Sequence, residues 1–271
     1  MPTLHCNGVD LHYEERGTGV PVVFSHGLLW SGRMYEAQVE ALSENAGDSR
    51  GYRCIAYDHR GQGRSQTSPV PYDIETLTAD AEALLARLGA SPCHFVGLSM
   101  GGFVGLRLAL RRPELLRSLT LIQSAADAEP RWNVPKYRAM VLFARLAGFG
   151  PLVPAVMRIM FGQTFLRDPN RGAIRQRMAD ALGALDVNRT EAALATVTGR
   201  APVLAELSAI RTPTLVLHGT EDRAIVPARA EQTARAISGA KLVKIPRAGH
   251  TSSVEEPAAI TRALRTFLDR H

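Results

Sequence analysis

The chain has 271 residues, 45% of them hydrophobic and 21% charged, so it is long enough to bury a full core and has ordinary globular composition. No run approaches the ~18–20 apolar residues of a membrane helix, and no basic start precedes an apolar stretch, so we expect neither a membrane span nor a signal peptide. The cysteines lack a C-x-x-C pair, which favours reduced thiols packed in the core of a cytoplasmic protein over disulfides or a zinc site; they are Cys6, Cys54 and Cys93.

The positive charge is concentrated in one part of the chain. The formal net charge is +6, and residues 131–205 carry eleven Lys or Arg against four Asp or Glu. A nucleic-acid surface would be one interpretation of this excess. The segment lacks a glycine-rich or aromatic-interleaved basic motif, so we expect a solvated helical surface and no nucleic-acid partner.

Strand and helix patterns alternate through the first half of the chain. The N-terminus predicts a β-hairpin around Asn7-Gly8, followed by the strands "VPVVFSHG" and "YRCIAYDHRGQGRS" with the helical "MYEAQVEAL" between them. Residues 76–88 predict an amphipathic helix that ends at Gly89. "CHFVGLS" predicts a strand, "GGFVGLRLALRRP" a helix that ends at Pro113, and "LRSLTLIQSA" another strand.

A long helical segment interrupts this alternation. Residues 127–208 contain the helical patterns "KYRAMVLFARLAG", "VPAVMRIMFG", "RGAIRQRMADALGAL" and "RTEAALATVTG" and no convincing strand. Two strands, "TPTLVLHGTED" and "AKLVKIPRAGH", and a final helix with Pro257 in its first turn complete the chain. The pattern predicts an α/β fold with a mostly parallel sheet and helices on both faces. We expect a core of residues 1–126 and 209–271, with 127–208 as a helical cap or lid between two strands.

Candidate catalytic residues follow three of the predicted strands, where α/β sheets bind their ligands. Ser99 lies in a G-x-S-x-G pattern between a strand and a helix. A serine hydroxyl becomes a nucleophile when a base removes its proton and a carboxylate orients that base. His250 and Asp222 complete the order Ser…Asp…His. Glu221 and Asp127 remain open as alternatives for the carboxylate.

An attacked carbonyl also needs donors for the oxyanion that develops. The backbone N–H of Met100, at the start of a predicted helix, is one expected donor, and that of Leu28 is the second. Flexible methionines and aromatic rings would form an apolar substrate wall, or would only pack the cap onto the core. The candidates for the substrate pocket are Leu29, Trp30, Met157, Met160 and Phe161.

Five ordered motifs resemble the α/β-hydrolase superfamily across essentially all of the chain outside the helical segment. They are "HG" at 26–27, "YDHRGQGRS" at 57–65, "GLSMGG" at 97–102, "HGTEDRAIVP" at 218–227 and "AGHTSSVEEP" at 248–257. The "GLSMGG" turn and the C-terminal stretch "GHTSSVEEPAAITRALRTFL" look most like those of the branch that contains 3-oxoadipate enol-lactonases, small carboxylesterases and cofactor-free haloperoxidases. The resemblance implies a nucleophile, acid and base at Ser99, Asp222 and His250, with no metal or organic cofactor.

Departures from other members of the superfamily narrow the expected chemistry. Haloalkane dehalogenases and epoxide hydrolases of this fold use aspartate where this chain has Ser99. Haloperoxidase and perhydrolase relatives commonly carry Trp-Pro or Phe-Pro after "HG", where this chain has Leu28-Leu29. Carbon–carbon bond hydrolases usually have a glycine-rich stretch at that point, which "LLWSGRMY" lacks.

The sequence therefore predicts a cytoplasmic serine hydrolase that cleaves a carboxylic ester or lactone of a small, largely apolar molecule through an acyl-enzyme. By analogy with capped relatives, an N-acyl homoserine lactone is one candidate substrate. The alternatives are a cofactor-free perhydrolase or haloperoxidase with the same triad, and a non-catalytic ligand receptor on the same scaffold. We expect a small-molecule substrate and neither a nucleic-acid nor a membrane partner; the oligomeric state stays open.

Overall fold

The computed structural model describes residues 2–45, 51–68 and 70–271. Its strands form one sheet in the order β1-β2-β4-β3-β5-β6-β7-β8. These strands are β1 (Thr3–Cys6), β2 (Val9–Arg16), β3 (Pro21–Ser25), β4 (Arg53–Tyr57), β5 (Cys93–Leu98), β6 (Leu116–Ile122), β7 (Thr214–Gly219) and β8 (Lys241–Ile245). β2 pairs antiparallel with β1 and β4, and every pair from β4 to β8 is parallel. The mostly parallel sheet expected from the sequence is confirmed.

Helices follow most strands and cover the sheet. They are α1 (Glu36–Ser43), α2 (Ile74–Arg87), α3 (Met100–Arg111), α4 (Asn133–Ala147), α5 (Val153–Met160), α6 (Gln163–Arg167), α7 (Gly172–Gly183), α8 (Val187–Thr198), α9 (Pro227–Ala236), α10 (Ser252–Glu255) and α11 (Pro257–Leu268). Helices α4 to α8 all lie between β6 and β7, where the sequence predicts a cap. Across the described ranges, no helix is both long and apolar enough to cross a bilayer.

Local signals account for several element boundaries. The hairpin turn at Asn7 and Gly8 has positive φ at both residues, 46° and 81°. Helix α2 begins at Ile74, two residues before the predicted start, because the Asp73 carboxylate accepts the N–H of Thr76 and caps it. Gly89 follows the helix with a φ of 54°, the left-handed conformation in which helices commonly end.

Helix α9 is absent from the sequence prediction. Its buried face consists of Ala230, Thr233 and Ala234. These side chains are too small to produce the periodicity of large apolar residues by which amphipathic helices are identified. The helix packs against β7 and β8 because its small residues permit close approach to the sheet.

Two hydrophobic clusters lie on the two faces of the sheet. One contains buried residues of α2, α3 and α9, with Leu84 and Phe103 among them. The other joins α1 and α11 to apolar residues of the helical segment, among them Met160 and Phe161. This segment therefore shares a continuous core with one face of the sheet. The three cysteines are buried with free thiols, as the sequence predicts.

Candidate active site

Ser99 is the single residue between the end of β5 at Leu98 and the start of α3 at Met100. Its φ of 51° and ψ of −110° place a non-glycine residue in a strained conformation, which costs about 1–3 kcal/mol. Backbone hydrogen bonds hold it there: its N–H donates to the Ile122 carbonyl at 2.8 Å, and its carbonyl accepts the N–H of Phe103 at 3.0 Å. The strained turn fixes the serine at the carboxyl end of the sheet.

The glycines around Ser99 are required by close backbone contacts. A Cβ on Gly97 would lie 2.3 Å from the carbonyl oxygen of Gly101. A Cβ on Gly101 would lie 2.0 Å from the carbonyl oxygen of Ser25 in β3. No side chain fits at either position without moving the backbone, so the G-x-S-x-G spacing reflects the packing of the turn against itself and against β3.

Ser99 and His250 line the same cavity, which has a volume of about 120 Å³. Its wall is mainly apolar and comes from both the sheet and the helical segment. Residues from the sheet side include Leu28, Phe103 and Ile225, and residues from the helical segment include Met140, Val156 and Met160. The arrangement places a hydroxyl and an imidazole in the wall of a mainly hydrophobic space.

The imidazole of His250 is held by Asp222. Nδ1 of His250 lies 2.9 Å from Oδ2 of Asp222, and both side chains are buried. The other carboxylate oxygen, Oδ1, accepts the backbone N–H groups of Ala224 at 2.8 Å and Ile225 at 3.0 Å. An ionised carboxylate only accepts hydrogen bonds, so Nδ1 of the ring is the donor. Nε2 is then the ring nitrogen that is able to accept a proton.

The two alternative carboxylates are engaged elsewhere. Glu221 accepts the backbone N–H of Thr164 at 2.8 Å and also the hydroxyl of that residue. Asp127 pairs with the guanidinium of Arg229 at 2.8 Å. Of the three carboxylates that the sequence left open, the structure brings Asp222 into contact with His250.

The two expected oxyanion donors lie in segments that Gln62 links. Met100 is the first residue of α3, so its N–H has no acceptor within the helix. Leu28 lies in the loop after β3 and lines the cavity. The side-chain oxygen of Gln62 accepts the N–H of Leu29 at 3.2 Å, and its amide nitrogen lies 3.7 Å from Sδ of Met100. Sequence reasoning missed Gln62, which lies in the "RGQGRS" loop without a distinguishing spacing.

Two buried histidines, His26 and His59, form hydrogen bonds around the loop after β3, and both are neutral. Nε2 of His26 accepts the backbone N–H of His59 at 2.9 Å, and the His59 ring contacts the Ser25 hydroxyl, also at 2.9 Å. Burial lowers the pKa of His26, and it lowers the pKa of His59 well below the usual histidine range. Among the described residues, no group of three or more His, Cys, Asp or Glu side chains is arranged to hold a metal ion.

The predicted pocket residues divide into two groups. Leu29 and Met160 line the cavity that contains Ser99. Met157 faces the second core cluster, and the ring of Trp30 packs edge-on against Phe161 with centroids 5.8 Å apart. Met157 and Phe161 are buried in that cluster and are not among the residues that line the Ser99 cavity, whereas Trp30 lines a neighbouring cavity of about 250 Å³ together with Leu28 and Leu29.

Two polar residues of the cavity wall, Glu129 and Tyr137, were not anticipated. Glu129 accepts the Asn133 amide at 2.7 Å and forms a buried ion pair with Arg200 at 3.3 Å. Burial lowers the pKa of Arg200 to about 10 and raises the pKa of Tyr137 to about 12. Glu129 and Arg200 are 71 positions apart in the chain, and no sequence motif identifies them.

Comparisons with known proteins identify the family of the chain. A family model described as the α/β hydrolase fold matches residues 20–257. The chain is 32% identical to a Pseudomonas syringae pv. syringae protein named as the carbamate hydrolase RutD, over 96% of this chain and 97% of that protein. It is also similar to solved structures of an esterase from Thermogutta terrifontis (TM-score 0.90, 27% identity, 100% and 99% of the two chains) and the enol-lactonase from Burkholderia xenovorans LB400 (TM-score 0.88, 31% identity, 99% and 100%).

Proposed function

Because the chain belongs to the α/β-hydrolase fold family and is a hydrolase, we propose that it uses Ser99 to cleave a carboxylic ester or lactone through an acyl-enzyme. One observation carries this proposal. The strained Ser99 shares an apolar cavity with His250, whose Nδ1 lies 2.9 Å from Asp222. Nucleophile, base and orienting carboxylate are the minimum set for acyl transfer by a serine.

In the acylation step, Oγ of Ser99 attacks the carbonyl carbon while Nε2 of His250 takes the hydroxyl proton. Asp222 orients the ring and stabilises the imidazolium that forms. The backbone N–H groups of Leu28 and Met100 stabilise the oxyanion, and each such donor is worth about 3–4 kcal/mol in the transition state. The imidazolium then gives its proton to the departing alkoxide, and the acyl group stays on Ser99.

Deacylation repeats the sequence with water. His250 removes a proton from the water that attacks the acyl carbon, and the second tetrahedral intermediate collapses to release the acid and regenerate the Ser99 hydroxyl. With a lactone substrate the leaving hydroxyl remains attached to the acyl part. The product is then a single hydroxy acid.

The cavity supports a small, uncharged acyl or alcohol group as the substrate. Its volume of about 120 Å³ suits a group of the size of a short alkyl chain or one ring. None of the described Lys or Arg residues lines the cavity, and Arg200, which lies 4.0 Å from the ring of the wall residue Phe103, already pairs with Glu129. A free carboxylate on the substrate would therefore have no unpaired partner among these residues, and its burial would be unfavourable.

Carbamate cleavage is the second candidate, supported by the 32% identity to the protein named as a carbamate hydrolase. The same attack of Ser99 on a carbonyl carbon would apply. A carbamate carbonyl is less electrophilic than an ester carbonyl because the nitrogen lone pair is delocalised onto it. The two functions therefore predict different orders of reactivity for matched esters and carbamates.

The test is acid release in a pH-stat from matched aryl esters, alkyl esters, lactones of increasing acyl length and carbamates, with the Ser99→Ala variant as the blank. Ser208→Ala, an exposed serine outside the cavity, is the matched control. We expect turnover of short esters or lactones that Ser99→Ala loses and Ser208→Ala keeps. Turnover that survives in the Ser99→Ala variant would refute the proposal. In a separate assay, halogenation that requires hydrogen peroxide would favour the haloperoxidase alternative.

A further inference from the structure

Glu255, at the end of α10, is fully buried and receives three backbone hydrogen bonds. Oε2 accepts the N–H of Gly162 at 2.8 Å and of Gly249 at 2.9 Å, and Oε1 accepts the N–H of Thr251 at 3.0 Å. The mechanism proposed above does not use this carboxylate. A buried carboxylate with three backbone donors is a strong local constraint on the segments that supply them.

Two of these donors flank His250 directly. The peptide N–H groups of Gly249 and Thr251, one on each side of the base, both point to Glu255. Asp222 orients the imidazole ring, whereas Glu255 orients the backbone from which the ring projects. The position of Nε2 relative to Ser99 depends on both.

The third donor belongs to residues 160–164 of the helical segment, which we call the anchor segment. The carbonyl of Met160 accepts the Thr251 hydroxyl at 2.9 Å. A Cβ on Gly249 would lie 2.2 Å from the nitrogen of Gly162, so the two backbones are in direct contact. At its other end, Thr164 donates to Glu221, the neighbour of Asp222. The anchor segment thus contacts the loops that carry both the base and its carboxylate.

Only a carboxylate satisfies all three donors. A glutamine has one acceptor oxygen and one NH₂ group, so at least one of the backbone N–H groups would face another donor. Burial raises the pKa of Glu255 to about 7, in opposition to the three N–H groups, which favour the charged form. The three backbone hydrogen bonds persist only while the Glu255 carboxylate lies between the anchor segment and the His250 loop.

We infer that Glu255 is a positioning residue for His250. Through the hydrogen bonds of Glu255, the position of the His250 ring depends on the anchor segment lying against the His250 loop. This rests on the proposed function in one respect, the role of His250 as base. Displacement of the helical segment would then lower the reactivity of Ser99 without any change in Ser99, His250 or Asp222 themselves.

The experiment compares Glu255→Gln with Glu256→Gln. Glu256 is the adjacent carboxylate; it pairs with the guanidinium groups of Arg171 at 3.1 Å and Arg247 at 3.5 Å, but among the described residues its side chain accepts no backbone N–H of the His250 loop. Two quantities are measured on each folded full-length variant: kcat and KM for the best short ester, and the low-field proton NMR signal of the His250 Nδ1–H. That signal is assigned by its loss in His250→Gln.

We expect Glu255→Gln to lower kcat at least about 10-fold with less than about 3-fold change in KM, because a small displacement of the base slows chemistry more than binding. The low-field signal should shift or broaden. Glu256→Gln should keep both the kcat and the signal of the wild type. Equal kcat and equal signals in the two variants would overturn the inference.

Gly162→Ala gives a second test if Glu255→Gln does not fold. Its Cβ would lie 2.6 Å from Glu221 and 2.9 Å from the Gly249 nitrogen, which displaces the anchor segment and leaves Glu255 intact. The same loss of kcat and the same change in the His250 signal are expected, and an unchanged signal would contradict the inference. If the wild type shows no Ser99-dependent turnover, the proposed function fails, while the NMR comparison still tests the positioning role.

Discussion

The carboxylates of Glu221 and Asp222 are adjacent in the chain but bind different partners. Asp222 contacts the His250 ring at 2.9 Å, whereas Glu221 accepts two hydrogen bonds from Thr164 of the anchor segment. The turn after β7 therefore supplies one carboxylate to the His250 ring and one to the helical segment.

We predict that Asp222→Asn lowers kcat about 10⁴-fold, because an amide no longer selects the Nδ1-protonated ring or stabilises the imidazolium. Asp127→Asn should stay within about 3-fold of the wild type, since that carboxylate pairs with Arg229. Steady-state kinetics on one aryl ester, with circular dichroism to confirm folding, measures both. A larger loss in Asp127→Asn than in Asp222→Asn would show that the acid is assigned to the wrong strand end.

The strained backbone of Ser99 predicts an unusual order of stability. Ser99→Gly should unfold at a higher temperature than Ser99→Ala, because glycine adopts a φ of 51° without the clash of a Cβ. We expect a net gain of about 1 kcal/mol, or roughly 2–4 °C, after the larger chain entropy of glycine is subtracted. Differential scanning calorimetry of the two inactive variants measures this difference. Equal melting temperatures would mean that the turn stores no such strain.

Met160 offers a way to change the size of the cavity. Met160→Ala should raise the ratio of kcat/KM for longer over shorter acyl esters, since this side chain lines the cavity. Met157→Ala in the same helix is the control, because Met157 is buried to a similar extent but is not among the residues that line the cavity. Both substitutions should destabilise the protein by about 2–5 kcal/mol. If both variants changed chain-length selectivity equally, the effect would come from general loosening of the helical segment.

Stability should fall in mild acid because of His94. Burial, with Arg117 and His271 nearby, lowers the pKa of His94 to about 4, although Asp269 opposes the shift. The unfolded chain binds this proton near pH 6.5, so the folded state loses stability as the pH falls from about 6.5 to 4, by at most about 3 kcal/mol. Urea unfolding at several pH values should show a smaller loss in His94→Gln. An identical pH dependence in both proteins would exclude this contribution.

The sequence by itself determined the α/β architecture and the places along the chain of the strands that precede the candidate site residues. Strand and helix periodicities are local, and the carboxyl ends of parallel strands meet at one edge of a sheet. These two facts place Ser99, Asp222 and His250 near one another before any coordinates are known. The G-x-S-x-G pattern around Ser99 could also be recognised in the sequence, because the residues of this turn that contact one another are only a few positions apart.

Only the tertiary structure decided which carboxylate contacts His250, which apolar residues line the cavity, and which segments Glu255 joins. Glu255 and Gly162 are 93 positions apart, and the Trp30 ring packs on Phe161 from another part of the chain. Such contacts depend on how the helical segment packs on the sheet, and no local periodicity encodes that packing. Small helices such as α9 were hidden for a related reason, because alanines that pack closely leave no hydrophobic period.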